Sequence, residues 1–418
     1  MTSFTISRNL LLGALLRCKH AFNRRNTIIE MGNFLFSFCA SRLLVTASDG
    51  DIFMQESLRV DNNEDTDGVA FGLDRSYLLN AIKSLDEQPL RFNLMDYQVE
   101  VVHSQGWFYL KRFDASGLLE ELSKRNDFNF WVSKGDKPDI HQTSLEIPGI
   151  KHWIDLSFNS LACDELRPAM NCICLDFKDD NHIAIAASDG HQLTVIRKHQ
   201  EDVVFNAQLL LPRKVCHIIQ RCLPKTGMMD LAFTEHTYSH DEDTNKEHFQ
   251  KSVGAITVNV NADDPNHTLF IRFRNEGMDS RYPKYQSVIP SEFNYFLECD
   301  RLQLLKSISR LIHFSNSSSG MVVFALSPEK MTISASDHDY EVGANEQLPC
   351  QFSSPHIKFP ELKIGFKGYM VASLLRRMTS ERVSLSFVDV ARACIMQPKP
   401  QPDVEDLTFL MMPMLVND

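Results

Sequence analysis

The residues best suited to chemistry are three aspartates in the same setting. Asp49, Asp189 and Asp337 each end an alternating apolar run: Leu43-Leu44-Val45-Thr46-Ala47-Ser48-Asp49-Gly50, Ile183-Ala184-Ile185-Ala186-Ala187-Ser188-Asp189-Gly190, and Met331-Thr332-Ile333-Ser334-Ala335-Ser336-Asp337-His338. His191 lies two residues beyond Asp189, so a carboxylate and an imidazole could act there as an acid–base pair. The ten cysteines (18, 39, 163, 172, 174, 216, 222, 299, 350 and 394) contain no C-x-x-C pair. Cys172 and Cys174 alternate on one strand face, which reads as core packing rather than a metal site. Catalysis requires converging groups, yet the aspartates stand 140 and 148 residues apart, at strand ends where Asp-Gly chiefly makes turns. The sequence has no phosphate-cradling glycine loop, no H-E-x-x-H and no G-x-S-x-G. The expectation is therefore a non-enzyme without metal or cofactor.

The elements that carry these turns repeat as well. Intervals of 140 and 148 residues are too long for a solenoid and suit whole domains. Upstream of each Ala-Ser-Asp run, apolar residues recur at helical spacing: Leu12, Leu15 and Leu16; Ile150, Trp153, Ile154, Phe158 and Leu161; Leu304, Leu305, Ile308, Leu311 and Ile312. A second helix follows each run, around Tyr77–Ile82, Val215–Ile219 and Tyr369–Leu375, with a short apolar strand before it and further strands after it. One helix over a few antiparallel strands is thus the unit, used six times. The fold class is α+β, with three tandem similar domains of two helices each on antiparallel sheets. Boundaries fall near Pro138-Asp139 and Ser291-Glu292, giving domains 1–139, 140–291 and 292–418.

Bulk properties agree with a globular array. Of 418 residues, 43% are hydrophobic and 10% aromatic, ample for a core in each domain. Unpaired cysteines fit a reducing compartment, the cytoplasm, and no apolar run reaches the roughly 18 residues of a membrane span. At the N-terminus, Arg8, Arg17, Lys19, Arg24 and Arg25 surround Leu10-Leu11-Leu12-Gly13-Ala14-Leu15-Leu16, as in a targeting signal. The apolar core is short, lacks a small-residue cleavage site and follows the strand-like Phe4-Thr5-Ile6, so a basic helix of the first domain is the better reading. The net charge is −11, but the six helix windows sum to +12 and leave −23 elsewhere. Helices sharing one face would make that face attractive to a polyanion.

Four motifs in order support a family resemblance: Ala187-Ser188-Asp189-Gly190-His191-Gln192-Leu193; Leu211-Pro212-Arg213-Lys214; Arg281-Tyr282-Pro283-Lys284-Tyr285 with Val288-Ile289-Pro290; and Leu410-Met411-Met412-Pro413-Met414-Leu415. Over essentially its whole length the chain resembles the bacterial sliding clamp family, the beta subunit of DNA polymerase III. The resemblance implies a head-to-tail homodimer: a ring of six pseudo-equivalent domains whose twelve helices surround double-stranded DNA. Helices packed at about 8–10 Å leave a bore of some 20–30 Å, enough for a duplex and water. Mobile Lys and Arg contacts to phosphates would permit sliding where base contacts would stall it.

The same resemblance implies the sites. Arg25 and Arg167 would face DNA, and helix periodicity adds Arg213, Lys214 and Arg221. The dimer contact would join Phe108 and Leu110 to His313 and Phe314. A pocket for short linear peptides from the polymerase III catalytic subunit, the clamp loader and repair proteins would comprise Met170, Ser188, Gly190, His191, Leu193, Pro283, Val288, Leu410, Met412, Pro413 and Met414. Ser287 and Gln192 stand where better-known members carry arginine, Ala169 replaces a tyrosine, and the tail continues through Val416-Asn417-Asp418, so peptide preference and local DNA contacts stay open. The polar insert 236–248 reads as a solvent loop. A repeat scaffold that binds only proteins is the alternative; it would share the pocket and lack the bore.

Overall fold

A computed structural model describes residues 2–23, 28–62, 68–126, 139–201, 203–234, 238–241, 246–249, 253–274, 282–358, 360–403 and 405–416. The chain divides into two compact units: Met1–Lys151 with Lys214–Asp279, and His152–Arg213 with Ser280–Asp418. The first contains a 13-stranded antiparallel sheet and the second a 12-stranded one.

Seven α-helices occur among the described residues: α1 (Arg8–Cys18), α2 (Arg75–Ser84), α3 (Ser116–Asn126), α4 (Ile147–Ser157), α5 (Arg213–Cys222), α6 (Arg301–Leu311) and α7 (Gly368–Arg377). Six follow the apolar spacing of the sequence. Ser7 caps α1 by accepting from Leu10 N, and Leu11, Ala14, Leu15 and Cys18 form its buried stripe. Asp300 caps α6 through Gln303 N at 2.7 Å, and the helix buries Leu304, Ser307, Ile308 and Leu311. In α5, Val215, Cys216, Ile218, Ile219 and Cys222 are buried.

Each Ala-Ser-Asp run is a strand that hairpins into the next. Arg42–Ser48 pairs with Ile52–Arg59, His182–Ser188 with Gln192–His199, and Lys330–Asp337 with Val342–Ser353. Ser48 lies opposite Phe53, Ser188 opposite Leu193, and Ser336 opposite Gly343. The second strand of each of the first two hairpins also accepts the closing strand of the following repeat: Ile52–Arg59 pairs with Thr268–Arg274, and Gln192–His199 with Glu405–Met411. Cys172 and Cys174 are buried in a strand, and burial pushes the Cys172 thiol up to about 12.

Two features depart from the sequence expectation. Helix α3 falls outside the six-unit scheme and packs Leu119 and Leu122 against Met31, Leu35 and Phe53. The insert 236–248, where described, is a two-stranded hairpin of Tyr238–Asp241 and Lys246–Phe249 rather than a loop, because cross-strand pairing satisfies backbone groups that a loop leaves to water.

Candidate functional site

The recurrent aspartates are turn formers. Asp49 Oδ1 accepts from Asp51 N at 3.1 Å and Ile52 N at 2.8 Å, while Ser48 Oγ donates to Ile52 O at 2.8 Å and accepts from Gly50 N at 3.0 Å. The second copy repeats this: Asp189 Oδ1 accepts from His191 N and Gln192 N, both at 2.8 Å, and Ser188 Oγ donates to Gln192 O at 2.8 Å. In the third, Asp337 Oδ1 accepts from Asp339 N at 3.0 Å. Gly190 has φ +90°, and a Cβ there would stand 3.2 Å from the Arg167 guanidinium, so glycine is needed for both the turn and the space.

Beside this second turn, within one unit, lies a cavity of about 780 Å³. Met170, Ser188, Gly190 and Leu193 line one side, Pro283 and Val288 another, and Leu410 and Met412 a third. Of the other expected pocket residues, His191 is exposed and its carbonyl accepts from Met412 N at 2.8 Å. Pro413 is not among the lining residues, and Met414 lines a separate cavity of about 430 Å³ with Val390 and Leu415. Sequence reasoning missed the wall formed by Val388, Ala391, Arg392 and Ala393. Asp389 builds that turn by accepting from Ala391 N and Arg392 N, both at 2.9 Å. Sequence reasoning also missed Tyr285, whose hydroxyl donates to the buried Asp176 carboxylate at 2.8 Å and anchors the segment bearing Pro283 and Val288. Gln192 Nε2 donates to Asn159 O and Asp189 Oδ2, both at 2.9 Å, and Ser287 also lines the cavity.

The basic candidates differ in their surroundings. Arg25 lies outside the described residues. Arg167 lines the cavity and pairs with Asp164 at 2.8 Å. Arg213 donates to the carbonyls of Leu161 and Ala162 and lies over the Phe158 ring, 4.9 Å from its centroid. Lys214 is held by Asp49 at 2.6 Å and by the carbonyls of Ala21 and Phe22. Arg221, in the last turn of α5, is exposed and makes no ion pair among the described residues. The helical charge is therefore partly internal: Arg17 pairs with the buried Glu56, and Arg377 donates to Leu156 O and Ser373 Oγ.

Phe108 and Leu110 lie half-buried on strand Gly106–Asp114, between the exposed Trp107, Tyr109 and Lys111. His313 and Phe314 form an exposed turn after α6, with Phe314 40% exposed.

Repeated helix-on-antiparallel-sheet units, linked by closing strands that extend a neighbour's sheet, define a protein of the DNA clamp fold. Residues 2–121 match the family described as DNA polymerase III beta subunit, N-terminal domain, and residues 286–414 match DNA polymerase III beta subunit, C-terminal domain. The chain is 23% identical over 416 residues to the beta sliding clamp of Pseudomonas putida, covering 98% of this chain and 99% of that one. It is 22% identical over 412 residues to the beta sliding clamp of Haemophilus influenzae, with 98% and 99% covered. The crystal structure of the DNA polymerase sliding clamp from Bacillus subtilis matches with a TM-score of 0.79 at 15% identity, covering 100% of both chains. The two family matches together span more than half of the sequence, and the chain belongs to the DNA polymerase III beta subunit family, that of the bacterial sliding clamps.

Proposed function

We propose that two copies of this chain close head to tail into a ring around duplex DNA and slide along it without sequence preference, tethering the DNA polymerase III catalytic subunit. The clamp loader and repair proteins use the same pocket through short linear peptides. One observation carries this reading. The closing-strand pairing occurs twice within the chain, leaving one unmatched partner of each kind. Among the described residues, 106–111 pair only with the 98–103 strand, and 342–349 only with the 330–337 strand. Such edges are templates for a further strand, and a contact between unlike edges closes after two copies if the rotation allows.

Phe108 and Leu110 lie on one open edge, and the turn of His313 and Phe314 adjoins the strand of the other, which supports them as interface residues. The recurrence of this pairing supports the proposed three-domain division 1–139, 140–291 and 292–418. Arg25, Arg167, Arg213, Lys214 and Arg221 are the proposed phosphate contacts, with Arg221 best supported by its open surroundings. Met170, Ser188, Gly190, His191, Leu193, Pro283, Val288, Leu410, Met412, Pro413 and Met414 are the proposed peptide contacts; those lining the cavity form its apolar walls, and a methionine there adapts to varied ligands. The ring acts by topology, without catalysis or cofactor, and the use of the aspartate carboxylates in turns supports this. Ten free cysteines support a reducing, cytoplasmic setting, and no described helix is long and apolar enough to cross a membrane.

Sedimentation of the purified 47.8 kDa chain tests the assembly. A species of twice that mass is expected at micromolar concentration; a monomer at every concentration contradicts the ring.

A further inference from the structure

Resting on the two-copy ring proposed above, we infer that its seam has one register: Tyr109 of one copy lies opposite Gly343 of the next, with Trp107 opposite Asn345 and Lys111 opposite Glu341. The two internal junctions obey a common rule. In the second repeat the fifth residue before α4 is Gln142, and the ladder from it runs through Ala232 and Ala255 to Arg272, which pairs with Phe53. In the third, the fifth residue before α6 is Phe296, and the ladder runs through Ser386 and Ile395 to Leu410, which pairs with Leu193. Phe53 and Leu193 each stand opposite the serine of their Ala-Ser-Asp run. In the first repeat the fifth residue before α1 is Ser3, and its ladder through Asn93 and Glu100 ends on Tyr109. The third serine, Ser336, stands opposite Gly343. Tyr109 and Gly343 are thus the two unmatched residues of the rule.

The side chains agree with this register. Trp107 and Tyr109 are 61% and 59% exposed and stack at 6.0 Å on one face, with Phe108 and Leu110 half-buried on the other. On the opposing strand Gly343 and Asn345 are exposed and Ala344 is half-buried, so outward residues meet outward ones, and a one-residue slip would reverse every face. An aromatic ring opposite a strand glycine covers the bare backbone, and Lys111 opposite Glu341 sets unlike charges together. At the first internal junction α3 covers the outer side of Phe53. At the seam the stacked Trp107 and Tyr109 supply that cover.

The test is a cysteine pair. A Cβ at Gly343 meets nothing nearer than 3.5 Å, so the Tyr109→Cys/Gly343→Cys chain should form disulfide-linked subunits under mild oxidation, while Trp107→Cys/Gly343→Cys, two residues out of step, should not. Cross-linking by the offset pair alone, or by neither pair in a protein that still sediments as a dimer, overturns the register and leaves the ring standing. A monomeric wild type instead overturns the ring. Independently, Lys111→Glu should weaken dimerisation a few-fold and Glu341→Lys in the same chain should restore it; weakening without restoration counts against the register.

Discussion

Glu56 is fully buried and still charged. Burial alone would raise its pKa, but hydrogen bonds from Arg17 Nε at 2.8 Å and with His267 Nε2 at 2.7 Å outweigh it and hold the carboxylate below its ordinary 4.5. Because the folded pKa is depressed, the associated stability is present above the unfolded carboxylate value near 4.3 and is lost as pH falls through the folded one. The thermal midpoint should therefore drop as pH falls below about 4.5, and Glu56→Gln should be less stable at neutral pH with a flatter acid limb; an unchanged acid limb would refute this. Glu56→Ala, which leaves Arg17 without its counter-charge and His267 without its hydrogen-bond partner, should cost about 3–5 kcal/mol. This triad was not legible in the sequence, because Arg17 and His267 lie 39 and 211 residues from Glu56 and a charge count places Arg17 on a solvated helix face. At the pocket, Met412→Ala should weaken a short clamp-binding peptide about 5–30-fold in a fluorescence titration, as expected of an apolar contact worth roughly 1–2 kcal/mol; unaltered affinity would remove Met412 from the site.

Helix α3 shows where repeat symmetry misleads. Its Leu119 and Leu122 have ordinary helical spacing, and Glu120–Lys124 and Glu121–Arg125 are i,i+4 pairs, yet six equivalent units leave no place for it. It covers a strand junction, a task visible only once Ile52–Arg59 is known to pair with Thr268–Arg274. Leu122→Ala should lower stability by about 2–5 kcal/mol in chemical denaturation, with the core of Met31, Leu35 and Phe53 losing its lid; a change under about 0.5 kcal/mol would contradict that packing. The other six helices were legible because each buries a stripe at three- and four-residue spacing. At the edge after α6, Phe314→Glu places a charge on a proposed apolar contact and should shift sedimentation to monomer with the far-ultraviolet circular dichroism unchanged. A persistent dimer would place the seam elsewhere.

For the whole molecule, a net charge of −11 and a DNA partner are compatible only if the cations that meet DNA are few and well placed. Internal bonding of Arg17 and Arg377 leaves such a minority, and a topological link needs no strong phosphate contact. The three Ala-Ser-Asp turns were readable from their spacing because in each copy the aspartate carboxylate accepts from a backbone amide of the turn. Pocket walls on strands and on the terminal segment were readable by motif, whereas the turn around Asp389 has no periodicity to announce it. The direct test of encirclement is retention after loading onto a nicked circular plasmid. Protein isolated with the circle by gel filtration should remain bound and be released when one restriction cut linearises the DNA; equal retention on circular and linear DNA, or none on the circle, would contradict the account.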